Sequence, residues 1–209
     1  MFILQQPRDY DCDCSTGKFA MAGLFKNTLI VCMLFTAPVS GQPLGVVLDI
    51  SDVPDRKQTG TAYYLSNVAA YDLVKSNPSV FFVDVRSVKE IARTGHPAMI
   101  DAVVPVMAEG EEFDEDLQEY KLVSSPKFVE RMLAAMESVD RGPHDMIIVT
   151  CGSGVRSAMA SRALEDAGFT NVWHIPEGYD GDTKPGLNTQ NSWKNADLPW
   201  TETFTATVF

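Results

Sequence analysis

The stretch "IVTCGSGVRSAMA", residues 148–160, carries a strand, a turn and a helix start in succession. Ile148, Val149 and Thr150 are β-formers, Gly152 and Gly154 interrupt them, and the residues from Val155 onward take up a helical pattern. Where strands are parallel, ligand sites lie outside their carboxyl ends, and Cys151 falls at such an end. The two glycines allow a turn tight enough for successive amides to point inward and form an anion-binding nest. The next helix aims its positive end at the same spot, and Arg156 adds a full charge. Together these features favour a thiolate or any anion attached to the sulfur. A small inert cysteine in a glycine turn is the plainer alternative, but it leaves Arg156 and the open amides without a use.

Outward from this stretch, helix and strand patterns alternate. "SNVAAYDLVKSNP" spaces Val68, Tyr71, Leu73 and Val74 helically after a possible Ser66 cap, with Pro78 as the stop. "SVFFVDV" predicts a buried strand ending near Val85, and Ser87 with Glu90 forms a capping-box pattern opening a short helix before Gly95. "AVVPV" at 102–106 predicts a second strand, with Pro105 marking an edge or an end. "SSPKFVERMLAAMESVD" predicts a helix capped by Ser125, with Pro126 first and Phe128, Val129, Met132, Leu133 and Met136 on one face. "DMIIVT" and "NVWHI" predict the third and fourth strands, separated by a helix that Gly168 closes. Strands separated by helices imply crossover connections, a mainly parallel central sheet and an α/β sandwich.

Three segments, in order, resemble the rhodanese family of sulfurtransferases. "FFVDVRSVKEIARTGHPAMIDAVVPV" is similar to its Asp-Val-Arg strand and Gly-His element, "CGSGVRSAMASRALEDAGFTNVWHI" to its active-site loop and helix, and "NSWKNADLPW" more weakly to its closing stretch. The resemblance covers residues 63–201 and implies a rhodanese-like three-layer sandwich. It further implies that Cys151 accepts sulfur as a persulfide and that Gly152, Ser153, Gly154, Val155 and Arg156 shape the pocket. Arg156 would bind an anionic donor or brace the loop, while Asp84 and Arg86 would support the site. Glu90 is read as part of the helix cap alone.

Loop length separates two chemistries. Cysteine phosphatases use Cys-x5-Arg around a tetrahedral phosphate, whereas Cys151 to Arg156 is Cys-x4-Arg, a tighter ring suited to one sulfur. No aspartate follows at short range to protonate a leaving alcohol. The expected reaction is therefore a two-step exchange from a donor such as thiosulfate to a thiol or cyanide-like acceptor, without metal or cofactor. The alternatives are a non-catalytic rhodanese-like carrier or binding module, and a phosphatase or arsenate reductase. The first five loop residues also look like those of mercaptopyruvate sulfurtransferases, but Arg156 stands where those have threonine.

The formal net charge of -11 disfavours nucleic acid and anionic membrane surfaces as partners and would slow encounter with dianionic thiosulfate. Seven of the eleven residues from Glu109 to Glu119 are acidic, a run read as a solvated loop or helix edge inserted into the domain. From Met21, Lys26, the apolar run Leu29 to Pro38 and the small Ser40 and Gly41 follow the layout of a signal peptide cleaved after Gly41. Its core is too short for a membrane anchor, so a periplasmic or secreted protein is expected. Residues 1–20, with Asp9, Asp11 and Asp13, read as an upstream extension, 42–62 as a lead-in and 202–209 as a tail. Processing would remove Cys12, Cys14 and Cys32 and leave Cys151 as the mature protein's one thiol, with no internal disulfide. His96, His144 and His174 are too dispersed to suggest a zinc site with Cys151. In the loop after the last strand, Asp180 and Asp182 begin like a calcium loop, but Lys184 and Pro185 break the pattern.

Overall fold

The computed structural model describes residues 48–60, 63–116, 118–182, 192–203 and 206–209. The expected signal segment and upstream extension lie outside them. Chain order runs α1 (Asn67–Ser76), β1 (Phe81–Asp84), α2 (Val88–Thr94), β2 (His96–Pro97), β3 (Ala102–Val103), β4 (Met107–Asp114) and β5 (Glu119–Ser124). It continues through α3 (Phe128–Glu137), β6 (Ile147–Thr150), α4 (Val155–Asp166), β7 (Val172–His174), β8 (Trp200–Thr201) and β9 (Thr207–Val208).

The central sheet has the order β7-β6-β1-β3-β9, and all four pairings are parallel. Both faces of β1 and β6 are buried, which explains why "FFVD" and "IIVT" are apolar runs without polar alternation. Phe81, Val83, Ile147 and Val149 face α3 and α4, packing with Met132, Met136 and Leu164. Phe82 and Ile148 face the other way, against Ala70 of α1, Ile91 of α2 and Trp193. The result is the three-layer α/β sandwich expected from the sequence. Cys151 belongs to the face covered by α3 and α4.

Three local readings are corrected. The acidic run is solvated, but it forms most of an antiparallel β4-β5 hairpin, with Phe113 against Tyr120 and Glu109 opposite Leu122. Its charges obscured the cross-strand apolar pairs that hold it. In α1, Val68 is exposed and Ala69 and Ala70 are buried, because close approach to the sheet selects small side chains. The helix predicted to start at Pro126 starts at Phe128, after a turn in which the Ser125 carbonyl accepts from the Phe128 amide. Ser125 makes no side-chain cap there.

Segments read as flanking also contribute. In the lead-in, Lys57 is buried, donates to the Pro176 carbonyl at 2.9 Å and pairs with Asp182 at 2.9 Å. In the tail, β9 pairs with β3 and shields that strand's outer edge.

Candidate active site

Cys151 follows β6 directly, and its side chain is fully buried. Sγ accepts from the backbone N–H of Gly154 at 3.2 Å and of Ser157 at 3.2 Å, with the Ser157 hydroxyl at 3.4 Å. Gly154 is the residue before α4 and has no side chain to cap that helix. The sulfur takes over the cap by satisfying one of the amides that a helix N-terminus leaves open. Cys151 is thus held where backbone dipoles stabilise negative charge on sulfur.

The ring closes only with glycine at two points. Gly154 has φ +86°, and a Cβ there would lie 2.1 Å from the Pro176 carbonyl oxygen. Gly178 has φ +70°, and its Cβ would lie 2.5 Å from the Gly152 carbonyl oxygen. The segment after β7 is clamped onto the loop: Tyr179 N–H donates to Cys151 O at 2.7 Å, and Asp180 N–H to Gly152 O at 2.8 Å. Ser153 is half-buried, while Val155 opens α4 with its side chain exposed.

Both arginines are tied to carboxylates. Arg156 makes a two-pronged contact with Glu90, Nη1 to Oε2 and Nη2 to Oε1, each 2.6 Å. Glu90 completes the capping box with Ser87 at the same time. Burial opposes ionisation of Glu90, but the Arg156 fork and the Ser87 donors outweigh it and bring its carboxyl from 4.5 to about 2. Arg156 is held above its ordinary range, chiefly by the bond to Glu90. Through Glu90, Arg156 joins the first turn of α4 to the first turn of α2.

Asp84 and Arg86 form a fully buried pair at 2.7 Å. Arg86 also donates to Thr94 Oγ1 and the Gly95 carbonyl, both at 2.9 Å, and its guanidinium lies 4.4 Å from the centre of the Tyr179 ring. Desolvation works against its charge, but Asp84 prevails and raises its pKa. With its donors satisfied, the pair is a rigid post between β1 and the ring.

Two participants escaped the sequence reading. Glu90 was assigned to the cap, and only folding shows that its carboxylate also faces Arg156, 66 positions along the chain. Asp180, in the loop after β7, brings its carboxylate to 3.5 Å from Arg86 Nη1. Burial pushes the Asp180 carboxyl up, against the pull of Arg86 and Lys194. Neither carried a sequence signal for its arginine contact, because each acts across a long sequence separation.

The histidines have contacts elsewhere. His96 Nδ1 lies 2.8 Å from Pro97 O, His144 Nδ1 3.1 Å from Thr170 Oγ1 and His174 Nε2 3.0 Å from Lys57 O. Among the described residues, no group of three or more His, Cys, Asp or Glu is arranged to hold a metal ion.

A family model described as a rhodanese-like domain matches residues 66–184. The chain belongs to the rhodanese-like domain family. Thiosulfate sulfurtransferase 16, chloroplastic, of Arabidopsis thaliana is 34% identical over 126 residues, covering 60% of this chain and 91% of that protein. An uncharacterized protein of Rickettsia conorii is 27% identical over 136 residues, covering 65% of this chain and 94% of its own. A crystal structure from M. tuberculosis superposes with a TM-score of 0.49 at 23% identity, covering 67% of this chain and 97% of that one. The rhodanese-like domain and the Arabidopsis relative together support a sulfurtransferase-family role.

Proposed function

We propose that this rhodanese-like protein is an exported sulfurtransferase that moves sulfane sulfur through a persulfide on Cys151. The observation that carries the reading is the Sγ atom of Cys151 held at 3.2 Å by two backbone amides at the start of α4. With thiosulfate as donor, the Cys151 thiolate attacks the sulfane sulfur, an S–S bond forms, and the donor's S–S bond breaks with sulfite leaving. A thiol or cyanide then attacks the outer sulfur, and the Cys151 thiolate returns as leaving group. Neither step changes the total electron count, and neither calls for a metal. The Gly154 and Ser157 amides counter the negative charge on sulfur throughout, while Arg156 and Glu90 keep the loop from opening. Export rests on the signal layout at Met21 to Gly41.

The test is Cys151→Ser. Thiosulfate-dependent thiocyanate formation should vanish, and the increment of about 32 Da on the wild-type protein after donor treatment should be absent. Wild-type protein that turns over no donor would favour the second reading, a non-catalytic rhodanese-like module, which the complete burial of Cys151 suits. The intact mass of protein from its native compartment reads the mature N-terminus, and a retained Met21 segment would refute export.

A further inference from the structure

The β4-β5 hairpin is a two-stranded sheet, with no third strand beside it among the described residues. Two strands alone are marginal in water and need an apolar face packed on something else. Here much of that face is uncovered. Phe113, Tyr120 and Leu122 are 45%, 48% and 49% exposed, and the Phe113 and Tyr120 rings meet edge to face with 5.2 Å between their centres. Phe113 is paired with Tyr120 and Glu109 with Leu122, so the three apolar side chains share one face with Glu109.

At its base this face meets the two helices that Arg156 and Glu90 join. Ser124, two residues beyond Leu122, brings Oγ to 3.7 Å from Met159 Sδ of α4, and Glu109 pairs with Lys89 of α2 at 2.7 Å. In the first turns of those helices Val155 and Val88 are exposed, and Val155 belongs to the Cys151 loop. Exposed apolar side chains rimmed by charge mark an interaction surface, and the charge selects what covers it. From Met107 to Ser124 the hairpin carries seven carboxylates against Lys121 alone. A second copy of this chain, at a net charge of -11, is repelled, whereas a cationic segment is drawn in.

We propose that this face docks a protein acceptor of sulfur: a segment rich in lysine and arginine around an apolar anchor, carrying the cysteine that takes sulfur from Cys151. The proposal rests on the sulfur-transfer reading above. Phe113, Tyr120 and Leu122 receive the anchor, and the surrounding carboxylates hold the cations at the rim. The segment's thiolate attacks the outer sulfur of the Cys151 persulfide, the S–S bond to Cys151 breaks, and the Cys151 thiolate leaves. The outer sulfur stays with its hydrogen on the segment as a new persulfide, and the exchange needs no oxidant or reductant.

The experiment uses two synthetic peptides alike in length, leucine content and a single cysteine, one rich in lysine and the other in glutamate. Binding is read by fluorescence anisotropy with the peptide cysteine changed to serine, and transfer by peptide mass spectrometry after the protein is loaded with thiosulfate. At low ionic strength the lysine-rich peptide should bind and accept sulfur about tenfold better than the glutamate-rich one, and salt should erode the preference. Phe113→Ser with Tyr120→Ser should weaken binding of the lysine-rich peptide about tenfold. Glu111→Lys with Glu115→Lys, at two exposed positions, should remove the charge preference by a similar factor. Transfer to 2-mercaptoethanol should be unchanged in both variants. Equal binding of the two peptides by the wild-type protein, or a lysine preference that survives both double substitutions, overturns the proposal. So does a wild-type dimer that sediments as a monomer after Phe113→Ser with Tyr120→Ser, because a second copy then covers the face. Transfer to 2-mercaptoethanol without binding of the lysine-rich peptide overturns the docking face and leaves the transfer reading standing. Selective, salt-sensitive binding by a protein that passes sulfur to no acceptor supports the docking face and refutes the transfer reading.

Discussion

Glu90→Gln tests whether the fork between Arg156 and Glu90 holds the cysteine loop. Glutamine at the third helical position can still complete the capping box with Ser87, so the substitution removes the ion pair while sparing the cap. The Glu90 carboxyl moves from 4.5 to about 2 in the folded protein. At 1.36 kcal/mol for each pH unit, that displacement corresponds to about 3 kcal/mol of folding stability at neutral pH. Part of it comes from Ser87 donors that glutamine keeps, so the expected loss is about 2 kcal/mol.

The sign follows from the lowered pKa. The unfolded chain binds the proton first, so the contribution is complete above pH 4.5 and is lost as pH falls toward 2. Urea denaturation of both proteins across pH 2 to pH 7 should therefore show curves that are well separated at neutral pH and merge at the acid end. A separation below about 0.5 kcal/mol at pH 7, or one that does not change with pH, would refute the claim that this pair braces the loop. Released from its partner, Arg156 should also lower KM for thiosulfate, because the freed guanidinium becomes available to an anionic donor.

Two further outcomes follow from the packing. Gly154→Ala drives a methyl group into the Pro176 carbonyl at a left-handed φ of +86°, so it should cost more than about 3 kcal/mol in urea denaturation and abolish sulfur transfer. His174, lowered from 6.5 to about 3 by burial and then by neighbouring Lys57 and Arg162, must be protonated on acid unfolding. Its contribution is complete above pH 6.5 and is lost as pH falls toward 3, up to about 5 kcal/mol. His174→Gln, which can still donate to Lys57 O, should flatten the wild-type decline, and parallel stability curves would refute this.

The parallel sheet was legible because β1 and β6 are buried on both faces and leave an unbroken apolar run, and because Gly168 closes α4 with φ +92° as a helix-ending glycine should. The β4-β5 hairpin was not legible. Phe113 pairs with Tyr120 and Ala108 with Val123, and carboxylates are interspersed along β4, so a charge count along the chain masked a contact between strands. The short β9 was hidden for a different reason. Two residues carry no periodicity, and their pairing with β3 exists only because the sheet offers an open edge there.

The candidate site divides along the same physical line. The two amides that hold the sulfur lie within seven residues, Cys151 to Ser157, so a local reading finds them. Asp84 and Arg86 come next in legibility, since the parallel register that sets Asp84 beside Thr150 must bring the end of β1 to the start of the cysteine loop. A one-residue slip of β1 would turn Asp84 to the opposite face of the sheet, away from the cysteine loop, so the site depends on the same register as the core. Glu90 and Asp180 reach the loop from α2 and from beyond β7, and no local spacing encodes that. A cysteine, two glycines and an arginine therefore identify the ring, but the availability of its cations to a donor depends on carboxylates that arrive by topology. In the proposed transfer, the charge that meets an incoming donor is therefore set by the partners of Arg86 and Arg156, and the loop sequence alone underdetermines it.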